Sequence, residues 1–125
     1  MGNAQNPGYF SLTAGADLSD KVGYFVLADG TVCTSATALV VGVVAKGCAS
    51  GEQARIQHSG VALISSDTTS VAIGDGIVSS VDGQGSDTSG IEGQYIHAVA
   101  LEAAAAAGSL FAALLCLNSE QSVPV

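Results

Sequence analysis

The sequence predicts an all-β domain built from many short strands. Three observations support this class: short apolar runs of strand length, turn residues such as Gly and Asp between consecutive runs, and regular apolar and polar alternation in one run. The turns recur about every eight to twelve residues, as in β-sandwiches and β-barrels. A chain of 125 residues has room for one hydrophobic core, so a single body is expected.

The N-terminal residues differ from the rest in composition. Residues 1–12 are rich in Asn, Gln, Gly and Pro, and Tyr9 and Phe10 are their bulkiest apolar side chains. Because such a segment has too little apolar surface to pack by itself, residues 1–12 are predicted to form an extended arm. The body is expected to span residues 13–118, and residues 119–125 are expected to form a C-terminal tail.

The first predicted element of the body is a β-hairpin within residues 23–34. Tyr24–Leu27 and Thr31–Thr34 are both composed of residues that favour strands. The Asp29-Gly30 pair lies between them, and Gly accepts the positive φ that a tight hairpin turn requires. This pair is therefore a strong turn signal.

Five more strands are predicted in the middle of the chain. They are Leu39–Ala45, Glu52–His58, Val61–Ile64, Ser70–Ile73 and Ile77–Val81. In the second of these, Ala54 and Ile56 alternate with Gln53, Arg55 and Gln57, which is the pattern of a half-buried strand. Residues 82–94 are almost entirely polar or Gly, and they are predicted to form the longest exposed loop of the body.

The stretch Tyr95–Leu117 admits two interpretations. Ala103–Ala107 has high helix propensity, whereas both flanks have strand composition. An internal repeat favours strands, because residues 41–58 align with residues 97–115 and both contain an apolar run, a turn of small residues closed by Gly, and a second run. A membrane-spanning helix is disfavoured because the stretch is barely long enough and contains His97 and Glu102.

Composition limits the classes of partner. Charged residues make up 11% of the chain and hydrophobic residues 48%, and the formal net charge is −8. The three basic residues, Lys21, Lys46 and Arg55, are not expected to cluster, so neither nucleic acid nor an anionic membrane is an expected partner. A surface poor in charge costs little to desolvate, and another protein is the expected partner. Met1–Phe10 contains no secretory signal, which predicts a protein made in the cytoplasm.

Few residues qualify for catalysis or metal binding. Cys33, Cys48 and Cys116 lack Cys-x-x-Cys spacing and are predicted to be buried thiols. His58 and His97 are predicted to be polar strand residues, because no set of partner groups accompanies them. Residues 82–87 resemble a calcium loop, but the motif lacks a closing Glu and occurs once, which favours a solvated turn. No catalytic residue, metal or cofactor is therefore predicted.

An ordered series of segments resembles a known family. The segments are Thr13–Ser19, Gly23–Leu27, Val41–Val44 with Ser50–Ala54, Ser59–Ala62, Ala72–Asp75 and Ala98–Gly108. In this order they resemble the small capsid decoration, or cement, proteins of tailed bacteriophages, and the likeness covers about residues 13–117. The strongest single piece is Ala100–Gly108, which leads into a final apolar strand. The sequence departs from the family pattern in the polar loop 82–94 and in Cys116.

The resemblance implies both a shape and a role. The implied shape is a compact body of β-barrel-like or β-tulip form. The implied role is to bind the outside of the assembled major capsid protein shell and to stabilise it against internal DNA pressure, without catalysis or a cofactor. Trimers at local three-fold positions on the outer surface of the virion are expected.

The predicted capsid-binding residues lie in the arm, and they are Asn6, Pro7, Gly8, Tyr9, Phe10 and Leu12. Tyr9 and Phe10 are the predicted anchors, because aromatic side chains on a polar segment gain most when a partner pocket desolvates them. The arm is expected to add a strand to an exposed sheet edge of the shell protein. In an alternative interpretation, the same aromatic pair folds back onto its own core.

A different class of function is also considered. The chain has strand composition compatible with a free-standing carbohydrate- or surface-binding module of the tail or adhesin type. Such sites present exposed aromatic platforms, and the absence of Trp, with only three Tyr and three Phe, counts against this class. An enzyme is the least favoured class.

Overall fold

The computed structural model describes residues 8–67, 71–87 and 94–120, and within these ranges the chain forms nine strands and no helix. The strands are β1 (Tyr9–Thr13), β2 (Phe25–Val26), β3 (Gly42–Lys46), β4 (Gln53–Gln57), β5 (Val61–Ser65), β6 (Gly76–Ser79), β7 (Gly85–Asp87), β8 (Tyr95–Ala100) and β9 (Leu110–Glu120). No segment of these ranges is a helix long and apolar enough to cross a bilayer.

The strands form two antiparallel sheets. The first sheet has the order β1-β4-β3-β2, and the second sheet has the order β5-β9-β8-β6-β7. Among the described strands both sheets have open edges, so this part of the chain is a sandwich and not a closed barrel. The predicted all-β class and sandwich architecture are confirmed.

A larger core cluster joins the two sheets. Phe25 and Val43 contribute from the first sheet, and Ile64, Ile77 and Phe111 contribute from the second sheet. These side chains are essentially inaccessible to solvent. Because apolar burial is the main favourable term in folding, this cluster is what fixes one sheet against the other.

A smaller core cluster lies on the opposite face of the first sheet. Val26 and Val44 belong to it, whereas their neighbours Phe25 and Val43 belong to the larger cluster, because successive residues of a strand point to opposite faces. Leu18, from the connection between β1 and β2, covers this face and is fully buried. The first sheet is therefore apolar on part of both faces.

The hairpin predicted within residues 23–34 is confirmed. The N–H of Leu27 donates to the carbonyl of Thr31, and Val26 forms an isolated bridge with Val32. Gly30 has a φ of +82°, as the turn requires. The hydroxyl and N–H of Thr31 donate to Asp29 at 2.6 and 3.1 Å, and these bonds lower the pKa of that carboxyl group.

The strand interpretation of Tyr95–Leu117 is confirmed. β8 and β9 pair antiparallel, and the Ala-rich stretch between them is an irregular connection that ends at Gly108, with a φ of +85°. Five alanines are too few to nucleate a stable helix without packing support. The internal repeat thus corresponds to two hairpins, β3 with β4 and β8 with β9.

Two of the predicted strands and one loop differ from expectation. Val71–Ile73 forms no strand, because the Asp75 carboxylate accepts the N–H of Ala72 at 2.8 Å and holds a turn; Ser70 lies outside the described residues. β3 starts at Gly42, three residues later than predicted. Within the predicted loop 82–94, residues 85–87 form β7, which pairs with β6.

Candidate functional site: the edge of the first sheet

β1 forms one edge of the first sheet. All five of its residues pair with β4, from Tyr9 opposite Gln57 to Thr13 opposite Gln53. The boundary predicted between the arm and the body, after residue 12, therefore falls inside a strand. Of the predicted capsid-binding residues, Asn6 and Pro7 lie outside the described residues.

Gly8 closes the sheet at the start of β1. Its carbonyl oxygen accepts the N–H of His58 at 2.7 Å. Its φ of +97° lies in the left-handed region that favours Gly, and a Cβ at this position would lie 3.0 Å from Oγ of Ser59. Gly8 is buried, so it positions the strand and offers no side chain to a partner.

Phe10 and Leu12 point inwards. Both pack against the smaller core cluster, which contains Ala54 and Ile56 of the neighbouring strand. The ring of Phe10 also lies 5.7 Å from the imidazole of His58, measured between centroids. For Phe10, this is the alternative placement in which an aromatic residue folds onto its own core.

Tyr9 points to the opposite face of the first sheet. The guanidinium carbon of Arg55 lies 4.5 Å from the centroid of the Tyr9 ring, which is a cation–π contact. Tyr9 remains partly exposed. Both predicted aromatic anchors are partly exposed, and Tyr9 is the one that does not pack on the smaller core cluster.

The outer edge of β1 presents unpaired main-chain groups. The bonds from His58 to Gly8 and from Ala14 to Glu52 show that the even-numbered residues of this strand are the hydrogen-bonded ones in the pairing with β4. The N–H and C=O groups of Tyr9 and Ser11 therefore point away from β4, and no described residue bonds to them. Such groups are a template for an added strand.

A pair of basic residues lies beside this edge. Lys46 of β3 is directly opposite Arg55 of β4, and both side chains are exposed. The expectation that the basic residues do not cluster is therefore wrong for two of the three. A register shift between Val44 and Lys46 causes it, because regular pairing would place Ala45 opposite Arg55. No sequence signal marks this shift.

A shallow groove of about 230 Å³ leads from the same edge towards the second sheet. It is lined by Tyr9, Val22, Val43, Val44, Ala45, Gln57, Val61 and Leu63. The amide of Gln57 donates to the carbonyls of Ser59 and Val61 at 2.9 and 2.8 Å, and so links β4 to β5. The groove is mainly apolar, with Tyr9 at one end.

The two histidines occupy different environments and do not form one site. His58 is exposed at the end of β4, whereas His97 in β8 is fully buried. Nδ1 of His97 accepts the N–H of Asn118 at 3.1 Å, and Nε2 has no hydrogen-bond partner among the described residues. Burial lowers the pKa of His97 to about 4, so the ring is neutral at pH 7.

The cysteines and the calcium-like sequence do not converge on a site either. All three cysteines are free thiols; Cys33 is buried, as predicted, whereas Cys48 and Cys116 are partly buried. The thiol of Cys33 contacts the carbonyl of Ser35 at 3.1 Å. In the calcium-like sequence, Gly85 forms a parallel bridge with Ser66 and belongs to the second sheet. No group of three or more His, Cys, Asp or Glu side chains in the described ranges is arranged for a metal ion.

Comparisons with known proteins find a similar fold among solved structures. No protein-family model matches the sequence, and no curated protein matches it significantly. Among solved structures, the fold is similar to the crystal structure of the N base of the head fiber gp8.5 in bacteriophage phi29, with a TM-score of 0.66 and 14% sequence identity. The likeness covers 91% of this chain and 97% of the phage chain. The two proteins share a fold over almost their whole length.

Proposed function

We propose that this chain is a structural protein of a bacteriophage virion, which binds the outer surface of the major capsid protein shell and stabilises it against internal DNA pressure. The observation that carries the proposal is the shared fold with the base of a phage head fiber over 97% of that chain. The low content of charged residues, 11%, supports a role in protein contacts. The chain acts by binding and not by catalysis.

The edge of the first sheet is the surface that meets the shell. The N–H and C=O groups of Tyr9 and Ser11, to which no described residue bonds, pair with an extended segment of the shell protein, which lengthens the first sheet by one strand. Main-chain hydrogen bonds of this kind supply affinity, and the side chains that alternate along the strand supply selectivity. The sequence predicted that an extended arm makes this contact, whereas in this proposal β1, an ordered strand of the body, makes it.

Tyr9 and the basic pair define the chemistry of the partner. Lys46 and Arg55 place two positive charges side by side on a protein with a net charge of −8. Acidic groups on a partner are attracted to these two side chains, and such complementarity steers and orients a protein contact. The shell segment that pairs with β1 is therefore expected to carry Asp or Glu near Tyr9.

Copies of the chain bind as trimers at local three-fold positions of the shell. This part of the proposal rests on the resemblance to decoration proteins, whose trimers occupy the places where capsomers meet. A trimer that also binds the shell needs two separate surfaces on each copy, one for the shell at the first-sheet edge and one for self-association.

Co-sedimentation with undecorated shells tests the proposal. The wild-type chain is expected to pellet with the shells and to raise the temperature at which they lose DNA or dissociate. Ser11→Pro removes the outward N–H of Ser11, in the middle of β1, but none of the bonds to β4, so it should fold and lose most of the binding. Ser11→Ala keeps that N–H and is the matched control.

Three outcomes separate the possibilities. Failure of the wild-type chain to pellet with shells contradicts the proposed function. Full binding by a folded Ser11→Pro variant contradicts strand addition while leaving the function intact. Specific binding on a glycan array, without shell binding, would favour the carbohydrate-binding class instead.

A further inference from the structure

The outer face of the second sheet is apolar. Its exposed Val and Leu side chains come from β5, β9 and the end of β8, and each has between 37% and 55% of its surface accessible. They are Val61, Leu63, Val99, Leu101, Leu110 and Leu114. We call this set the apolar face.

The strand register makes the apolar face continuous. Val61, Leu114 and Val99 lie side by side in one row across β5, β9 and β8. The next row contains Leu63, Ala112 and Leu101, where the N–H of Leu101 donates to the carbonyl of Ala112. Leu110 extends the face by one more row, opposite Ser65.

The same strands also supply the larger core cluster on their other side. Ile64 of β5 and Phe111 of β9 are fully buried there. β5 and β9 are therefore apolar on both faces. In antiparallel sheets a strand with one solvated face normally alternates apolar and polar residues, so apolar residues on both faces indicate that both faces are covered.

The chemistry of the apolar face points to a second copy of this chain as its occupant. The sequence has no charged residue in Val61–Ser65, Tyr95–Ala100 or Leu110–Ser119. At the border, the carboxylate of Glu102 accepts the N–H of Ala112 at 2.8 Å. Two copies can therefore bring the strands of these faces together without opposing like charges at the centre of the contact. A partner of different sequence is normally selected by charge complementarity, for which this face offers no group.

The size of the apolar face agrees with this occupant. Six side chains, each about half exposed, present on the order of 500 Å² of apolar surface, which is close to the largest patch on a typical monomer. A stable interface buries about 800 Å² on each partner, and its centre is the most apolar part. Exposed side chains next to the six residues, such as Val22, can supply the remainder.

We propose that the apolar face is the surface through which copies of this chain associate with one another. For its biological role this inference rests on the proposed function, in which the chain binds shells as an oligomer. Its test needs no shells, so either proposal can fail without the other. The first-sheet edge and the apolar face belong to different sheets, and of the six residues of the face only Val61 and Leu63 also line the groove that begins at Tyr9.

The test is the molar mass of the purified chain, measured by size-exclusion chromatography with light scattering over a range of concentrations. The wild-type chain is expected to have a mass that is a multiple of 12.3 kDa. Leu114→Asp places a charge at the centre of the apolar face and is expected to reduce the mass to that of one chain. Val81→Asp is the matched control, because Val81 is 75% exposed but lies outside the face, and it should keep the oligomer.

Circular dichroism establishes whether each variant is folded. If Leu114→Asp does not fold, the double variant Leu63→Thr/Leu114→Thr gives the same measurement, because Thr favours strands and still removes apolar surface. A wild-type chain that stays at 12.3 kDa up to about 1 mM, or a folded variant that keeps the mass of the oligomer, overturns the inference. A monomeric wild-type chain whose shell binding is lost in Leu114→Asp also overturns it, since the face would then belong to the shell contact.

Discussion

The main-chain N–H of Asn118 donates a hydrogen bond to Nδ1 of His97 over 3.1 Å, within the second sheet. Because Nδ1 is the acceptor, the proton of the neutral ring is on Nε2, which has no partner among the described residues. A protonated Nδ1 would oppose the N–H of Asn118 with a second donor in a site that has no solvent exposure. This contact therefore requires the neutral ring.

The free energy of unfolding is expected to fall as the pH decreases from about 6.5 towards 4. The unfolded chain binds a proton at His97 with the ordinary pKa of 6.5, whereas the native chain does so only near a pKa of about 4. Above pH 6.5 neither state is protonated, and below 4 the loss of stability is complete, at roughly 3 kcal/mol. Urea unfolding at several pH values measures it.

Two histidine variants provide the comparison. His97→Asn keeps an acceptor near the position of Nδ1 and should remove most of the pH dependence between 6.5 and 5. His58→Asn is the matched control, because it changes the other histidine and leaves the contact between His97 and Asn118 intact. An unchanged slope in His97→Asn would show that other groups cause the acid sensitivity.

Asn118→Ala is expected to lower the free energy of unfolding by about 2 to 3 kcal/mol. Asn118 has a φ of +61°, and its side chain both accepts the N–H and donates to the C=O of Val40, each at 2.9 Å. Ala loses both bonds and adopts this φ with strain. Asn118→Gly loses the bonds without strain, so it should be about 1 kcal/mol more stable than the Ala variant. Equal melting temperatures of the Ala and Gly variants would mean that the positive φ at position 118 causes no strain in the Ala variant.

Gly30→Ala is expected to be far more destabilising than Gly108→Ala. The two glycines have φ values of +82° and +85°, so the backbone strain is the same. A Cβ at Gly30 would overlap the carbonyl oxygen of Thr13, whereas a Cβ at Gly108 has no neighbour within 4 Å. We expect about 1 kcal/mol for Gly108→Ala and about 3 kcal/mol or more for Gly30→Ala. Similar losses in urea unfolding would contradict the packing argument.

Lys46→Gln/Arg55→Gln is expected to weaken binding to shells about tenfold and to reduce its dependence on salt. The reason is the removal of the charge of Arg55, which contacts Tyr9 of β1, and of the charge of Lys46 opposite it. The free energy of unfolding should change by about 1 kcal/mol or less, because both side chains are exposed and Arg55 loses an exposed contact with Tyr9. Lys21→Gln is the control, because it also removes one positive charge, but Lys21 contacts Asp20 and Tyr24, which belong to neither β1 nor β4. A salt dependence that persists in the double variant argues against an acidic partner.

Local features of the sequence were sufficient for much of the fold. The Asp29-Gly30 turn, the alternation around Ala54 and Ile56, and the repeated hairpin pattern predicted elements that the structure contains, because turn geometry and period-2 burial are local properties. The failure at Val71–Ile73 has a local cause as well, since the Asp75 side chain competes with strand pairing there.

The candidate surfaces depended on tertiary structure. β1 is held at the edge of the first sheet because Phe10 and Leu12 pack against the smaller core cluster. Lys46 lies opposite Arg55 only because of the register shift after Val44. One feature of the sequence indicated the apolar face: in β9, residues on both faces of the strand are apolar. Which of these two faces is buried against the first sheet depends on how the sheets stack. Composition and turn residues determined an all-β body that is poor in charge. Pairing between residues distant in the chain decided which groups share a surface, because register and stacking are set by packing of the whole core.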